Sequence, residues 1–150
     1  MDKIIVDSNI IFSAVLNLNS HIGQILINGG DYYDFYSPAY VRTELLKHAG
    51  KIKKITGLTD DSFLEVYELI LKNITILNHS ILPEKHFKLA VQHCQDIDSD
   101  DTIFVGFSEY LEAQLWTGDK KLTAGLQAKG FNRVINTADL FRDFINKSQT

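Results

Sequence analysis

Ile4-Ile5-Val6-Asp7-Ser8-Asn9-Ile10-Ile11 is the stretch whose reading decides the fold. Three consecutive β-branched residues suit a strand buried on both faces, which lacks the apolar–polar alternation of a half-exposed strand. Asp7 ends that run. From Ile10 the apolar residues recur with helical spacing over residues 10–28. The pattern is interrupted near Asn17-Leu18-Asn19-Ser20 and stopped by Gly29-Gly30. A buried strand, an acid and a helix in that order read as the start of a parallel strand–helix unit.

The same alternation continues downstream. Phe35-Tyr36 reads as a short second strand, and Ser37-Pro38 as N-cap and first position of a helix to about His48. Thr59 or Asp60 caps a helix with Phe63, Val66, Tyr67 and Ile70 on one stripe, and Ile74-Thr75-Ile76-Leu77 is a third strand. Pro83 opens a helix with Phe87, Ala90, Val91 and Cys94 on one face. Another begins near Asp100, with Ile103, Phe104, Phe107, Tyr110 and Leu111 as its stripe. Leu115-Trp116-Thr117 is a fourth strand, followed by a helix that Gly130 ends. Arg133-Val134-Ile135-Asn136 is a fifth strand, and Thr137 caps a last helix bearing Leu140, Phe141, Phe144 and Ile145. This order predicts an α/β fold with a small parallel sheet of about five strands, helices on both faces and right-handed crossovers. In such sheets ligands bind outside the carboxyl ends of the strands.

Composition sets outer limits. The chain has 150 residues, 45% hydrophobic and 23% charged, as in a folded domain, and we read residues 1–150 as a single domain. Cys94 is the one cysteine, so no intrachain disulfide can form, which fits a reducing compartment. The first apolar run is too short for a signal peptide, and no stretch approaches the ~18 apolar residues of a membrane span. The expected location is the cytoplasm, with no membrane partner. With 15 Lys and Arg against 19 Asp and Glu, the net charge is −4. That argues against gripping nucleic acid with a uniformly basic surface.

The acids fall where the fold places ligands. Asp7 follows the first strand, and Asp119 follows the fourth in Trp116-Thr117-Gly118-Asp119. Either alone could be a helix cap or a turn residue, but the sheet brings both to one edge. Asp96-Ile97-Asp98-Ser99-Asp100-Asp101 holds more acids than capping needs, although acids do favour a helix N-terminus. Glu44, on the helix after the second strand, reads by itself as a surface glutamate. Several carboxylates together suit a divalent cation, since Mg²⁺ and Mn²⁺ prefer oxygen ligands. Such cations assist displacement at phosphorus.

Three segments carry a family resemblance: Ile4 to Ile11, Asp101-Thr102-Ile103-Phe104-Val105-Gly106-Phe107, and Leu115-Trp116-Thr117-Gly118-Asp119-Lys120-Lys121-Leu122. Together they resemble the PIN-domain nucleases, from Ile4 to about Leu140. The resemblance implies a metal-dependent ribonuclease using Mg²⁺ or Mn²⁺, acting on RNA and usually homodimeric. Many small members are VapC-type toxins silenced by an antitoxin protein. It further implies that Asp7, Glu44, Asp101 and Asp119 are the catalytic, metal-holding acids. Asn9 and Thr117 match supporting positions, and Asp98 an auxiliary acid. Phe107 departs from the small residues many relatives carry on that helix. The alternative is a catalytically silent PIN-fold module that binds RNA or protein.

Lys47, Lys51, Lys53 and Lys54, with Lys120 and Lys121 beside Asp119, are candidate RNA contacts, or solvated residues at helix ends. Tyr32, Tyr33, Phe35 and Tyr36 read as buried or at a dimer contact rather than as a base-stacking platform. His86, His93 and Cys94 lack the spacing of a zinc site. Other parallel-sheet classes fit less well. A dinucleotide binder needs glycines where Asp7-Ser8-Asn9-Ile10 stands. A haloacid-dehalogenase-type phosphatase needs an aspartate in place of Asn9. A receiver domain needs paired acids after the first strand and an aspartate near Leu77-Asn78.

Overall fold

In the computed structural model, residues 1–93 and 101–150 are described. β1 (Asp2–Val6) leads into α1 (Ser8–Leu16) and α2 (His21–Asn28). β2 (Tyr33–Pro38) is followed by α3 (Tyr40–Lys47), α4 (Ala49–Thr56) and α5 (Asp60–Leu71), then β3 (Ile74–Leu77). α6 (Glu84–His93) and α7 (Thr102–Leu111) precede β4 (Gln114–Trp116). α8 (Lys120–Ala128), β5 (Val134–Ile135) and α9 (Thr137–Ser148) complete the order.

The strands among the described residues form one five-stranded sheet, ordered β3-β2-β1-β4-β5 and parallel at every pairing. Ile5 lies opposite Tyr36 on one side and Leu115 on the other, so β1 is central. Ile4, Ile5 and Val6 are all fully buried. Neighbours on a strand point to opposite faces, so both faces of the sheet are covered. Trp116 is also buried, with its ring 6.3 Å from that of Phe35. Tyr33 and Phe35 are buried as expected. Among the described residues, no single helix is long and apolar enough to cross a membrane.

Several local expectations are corrected. Phe35-Tyr36 belongs to a longer strand, and Ser37-Pro38 ends that strand rather than opening a helix. Pro38 pairs in register with Leu77, and α3 begins at Tyr40 behind Ala39. Sheet pairing therefore overrides the local Ser-Pro signal. The helix expected to about His48 is followed by a separate α4. That helix is closed by Gly57 at φ +74°, a left-handed conformation that favours glycine. Asn136, not Thr137, caps α9; its side chain accepts from the Asp139 N–H. On α6 only part of the expected face is covered: Ala90 is buried, while Phe87 and Val91 are nearly half exposed. Cys94 lies outside the described residues.

Gly106 on α7 has a packing reason. A Cβ there would lie 2.7 Å from the Leu82 side chain and 3.5 Å from the Cβ of Ala90. Its absence lets α6 and the chain leading into it close on α7, while the neighbouring Phe107 is fully buried.

A polar clamp fastens the last helix across the amino edge of the sheet. The Tyr33 hydroxyl donates to Asp143 Oδ2 at 2.6 Å. Lys147 Nζ lies 2.6 Å from Asp2 Oδ2, 3.1 Å from Asp143 Oδ2 and 4.5 Å above the Tyr33 ring. Asp2 and Tyr33 begin β1 and β2, so the clamp ties the end of α9 to both strand starts.

Candidate functional site

From β1 the chain builds β2 and β3 on one side, then crosses back to build β4 and β5 on the other. That reversal opens a crevice between the carboxyl ends of β1 and β4, the usual ligand position in such sheets. Asp7 follows β1, and Thr117, Gly118 and Asp119 follow β4. The Asp7 N–H donates to the Trp116 carbonyl at 3.1 Å, joining the strand ends at the residue that carries the carboxylate.

Asp7 is only 4% exposed. An aspartate preceding a helix ordinarily caps it through its side chain. Asp7 precedes α1 but makes no such cap bond. One carboxylate oxygen instead accepts from the Thr117 hydroxyl at 2.6 Å. The same hydroxyl accepts from the Asp119 N–H at 3.1 Å. Thr117 thus links the two acids with a single group whose proton is already committed. Burial pushes the Asp7 pKa above its ordinary 3.8, and hydrogen bonds from Thr117 and Ser8 oppose the rise. The negative charge of Asp119 adds to it.

Asp119 also has a structural duty. Its Oδ1 accepts from the Leu122 N–H at 3.0 Å as the N-cap of α8. Capping and a functional role are therefore compatible, because a carboxylate has a second oxygen. Among the described residues, no Lys, Arg or His forms an ion pair with Asp7 or Asp119.

Of the other expected acids, Glu44 and Asp101 fall among the described residues. Glu44, on α3, faces His48 at 3.7 Å, and His48 meets the Phe12 ring edge-on. Asp101 is half-buried just before α7 and does not cap that helix through its side chain. Asp98 lies outside the described residues. Asn9 is exposed on the first turn of α1, where its carbonyl accepts from Ser13. Among the described residues, no three His, Cys, Asp or Glu side chains are grouped closely enough to hold a metal ion.

Of the basic candidates, Lys47, Lys51, Lys54, Lys120 and Lys121 are exposed, and Lys53 is held by Asp60 at 2.5 Å. His86 packs on Tyr110, and His93 lies 3.5 Å from Glu109, so each has a local structural partner.

Sequence reasoning missed Ser37, a buried residue whose hydroxyl donates to the Val6 carbonyl at 2.9 Å. It braces the end of β1 one residue before Asp7. Its polarity inside an apolar strand was the available signal, obscured by the following proline. Gln127 and Asn136 were also missed; both line a cavity beside Thr117.

A doubly wound sheet with paired acids at its switch point places the chain among small α/β proteins with an acidic crevice. A family model described as the PIN domain matches residues 5–139, and the chain belongs to that family. No curated protein sequence matches it. Among solved structures, VapBC2 from Rickettsia felis, bound to a promoter DNA fragment, is similar with a TM-score of 0.66 and 15% identity. That match covers 89% of this chain and 96% of the other. PAE2754 from Pyrobaculum aerophilum also has a TM-score of 0.66, with 14% identity, covering 97% of this chain and 90% of the other. At these identities the likeness establishes the shared fold.

Proposed function

We propose that the protein is a Mg²⁺- or Mn²⁺-dependent endoribonuclease. The observation that carries this reading is the buried Asp7 carboxylate, which lies in the field of a second carboxylate and has no cationic side chain among the described residues. Two anions so placed call for a cation, and oxygen donors select a hard divalent one. Asp7, Glu44, Asp101 and Asp119 would hold it, with Asn9, Thr117 and Asp98 in support. When bound, such a metal supplies Lewis-acid polarisation of a phosphodiester and eases deprotonation of water.

The chain's own residues supply the positioning. Thr117 fixes the Asp7 carboxylate relative to Asp119, and Ser37 fixes the strand end beneath it. In this reading Glu44, which lies beside His48, and Asp101, just before α7, would complete the donor set. RNA is held by Lys47, Lys51 and Lys54 on one side and by Lys120 and Lys121 on the other, while Lys53 must first leave Asp60.

The likeness to VapBC2 supports a toxin-like role with a protein antitoxin as partner. A cytoplasmic homodimer, each chain working as one unit over residues 1–150, belongs to the same reading. The test is cleavage of single-stranded and structured RNA, with Mn²⁺ or with chelator, by wild type and Asp7→Asn. Cleavage confined to wild type with metal supports the reading. Equal cleavage by both proteins contradicts the assignment of Asp7. Metal-independent RNA binding without cleavage would favour the silent binding module.

A further inference from the structure

Beside the paired acids, a cavity of about 400 Å³ opens between the carboxyl ends of β4 and β5, the face of α8 from Lys120 to Gln127, and the start of α9. Its lining includes Thr117, Gly118, Lys120, Gln127, Asn136 and Thr137. The volume falls in the range that holds small-molecule-sized groups. Thr117 is shared with the acidic pair, so the cavity adjoins the crevice directly.

The polar groups of the cavity divide into two sets. Those of Thr117 and Thr137 are committed: Thr117 to Asp7 and Asp119, and Thr137 Oγ1 as acceptor for the Trp116 indole N–H at 3.0 Å. Asn136 Oδ1 is likewise committed, to the Asp139 N–H at 2.8 Å. The Asn136 amide NH₂, the Gln127 carboxamide and the Lys120 ammonium make no hydrogen bond or ion pair among the described residues. All three residues are exposed, so two carboxamides and one cation on the open side of the cavity are accessible to a ligand. At Gly118 a side chain would meet no atom within 4 Å, so the entry beside the acids is open.

We propose that this cavity receives one unpaired nucleotide of an RNA strand, the one flanking the phosphodiester held at Asp7 and Asp119. The inference rests on the nuclease reading for its orientation, because the acids define where the reacting phosphate lies. The carboxamides of Gln127 and Asn136 offer paired donors and an acceptor to a base edge, as Asn and Gln do for adenine. Sequence-selective RNA binding reads such edges on splayed, single-stranded bases. Lys120 lies where that nucleotide's phosphate would emerge. The cavity therefore sets a base preference next to the cleaved bond, strongest for adenine.

Trp116 provides a built-in probe, because it is the single tryptophan and its indole N–H bonds to Thr137 in the cavity wall. The experiment titrates the four nucleoside 5′-monophosphates into the full chain in chelator, following tryptophan emission and the side-chain amide resonances of Gln127 and Asn136. Expected are saturable changes in both signals, tightest for the adenine nucleotide. Affinity should fall about five- to tenfold in Gln127→Ala, the worth of one or two hydrogen bonds. A similar loss is expected in Asn136→Ser, which keeps a capping oxygen for α9 but removes the amide. Amide shifts confined to residues outside the cavity, or affinities unchanged in both variants, overturn the proposal. The readout needs neither metal nor turnover. Nucleotide binding without RNA cleavage would therefore defeat the nuclease reading alone, and cleavage with unaltered flanking-base preference in Gln127→Ala would defeat the cavity alone.

Discussion

At the amino edge of the sheet, Asp2 and Asp143 face Lys147 and the Tyr33 hydroxyl; at the carboxyl edge, Asp7 faces Asp119. The same side-chain type is driven in opposite directions. Hydrogen bonding from Tyr33, and the hydrogen bond and charge of Lys147, hold Asp143 below the ordinary carboxylate value. Burial and a neighbouring anion hold Asp7 above it. Tyr33 is itself pushed well above its usual range by burial and by Asp143. One edge is a satisfied clamp that fastens α9. At the other, no cationic side chain among the described residues offsets the buried Asp7 carboxylate, so its ionised form is costly unless a cation arrives. Fold stability and the proposed chemistry are thus separated across one sheet.

The largest expected effect breaks the carboxyl edge. Asp7→Asn should lower RNA cleavage by at least about a hundredfold, since metal assistance is worth several kcal/mol. Assays of kcat/KM with Mn²⁺ measure it, and the amino edge should be indifferent to the change. Next is Thr117→Val, which removes the hydroxyl shared by Asp7 and Asp119 with little change of shape. Losing an orienting partner should weaken Mn²⁺ affinity about 10–100-fold, read by calorimetric titration. A value unchanged from wild type would remove Thr117 from the account.

Smaller effects sharpen the contrast from the other side. Tyr33→Phe should cost about 1–2 kcal/mol in urea unfolding while leaving kcat/KM as it was. The pH profiles should run in opposite directions. Asp143 has a lowered native pKa, so its contribution is present above the unfolded 3.8 and lost as pH falls through the native value. Asp7 has a raised native pKa, so without metal stability falls as pH rises from 3.8 through that value. Melting curves in chelator should show Asp7→Asn lacking the second trend and Asp143→Asn lacking the first.

Much of this fold is legible in the sequence. Ile4-Ile5-Val6 announced a doubly buried strand, and the spacing of Leu115-Trp116-Thr117 and Asp119 brought a second acid to the same edge. What misled was local chemistry that tertiary pairing outweighed. Ser37-Pro38 is a sound helix-start signal in isolation, yet its backbone pairs with β3 and its hydroxyl is taken by Val6. The second short helix after β2 was hidden because residues 49–56 hold only two large apolar residues, Ile52 and Ile55, and bury only Ile52. At the site, strand ends fixed Asp7 and Asp119, whereas Glu44 was named through resemblance, and its neighbour in space is His48. Gln127 and Asn136 left no motif because their meaning comes from a cavity formed between two helices and two strands.

The central claim is that the carboxyl edge is built for a divalent cation. Thermal melting of wild type and Asp7→Asn with saturating Mn²⁺ tests it most directly, because binding to the native state raises stability with the logarithm of free metal over dissociation constant. At a hundredfold excess over the dissociation constant, wild type should gain about 5–10 °C in Tm, and Asp7→Asn only a small fraction of that. Equal gains in the two proteins, or no gain in wild type, would contradict the claim.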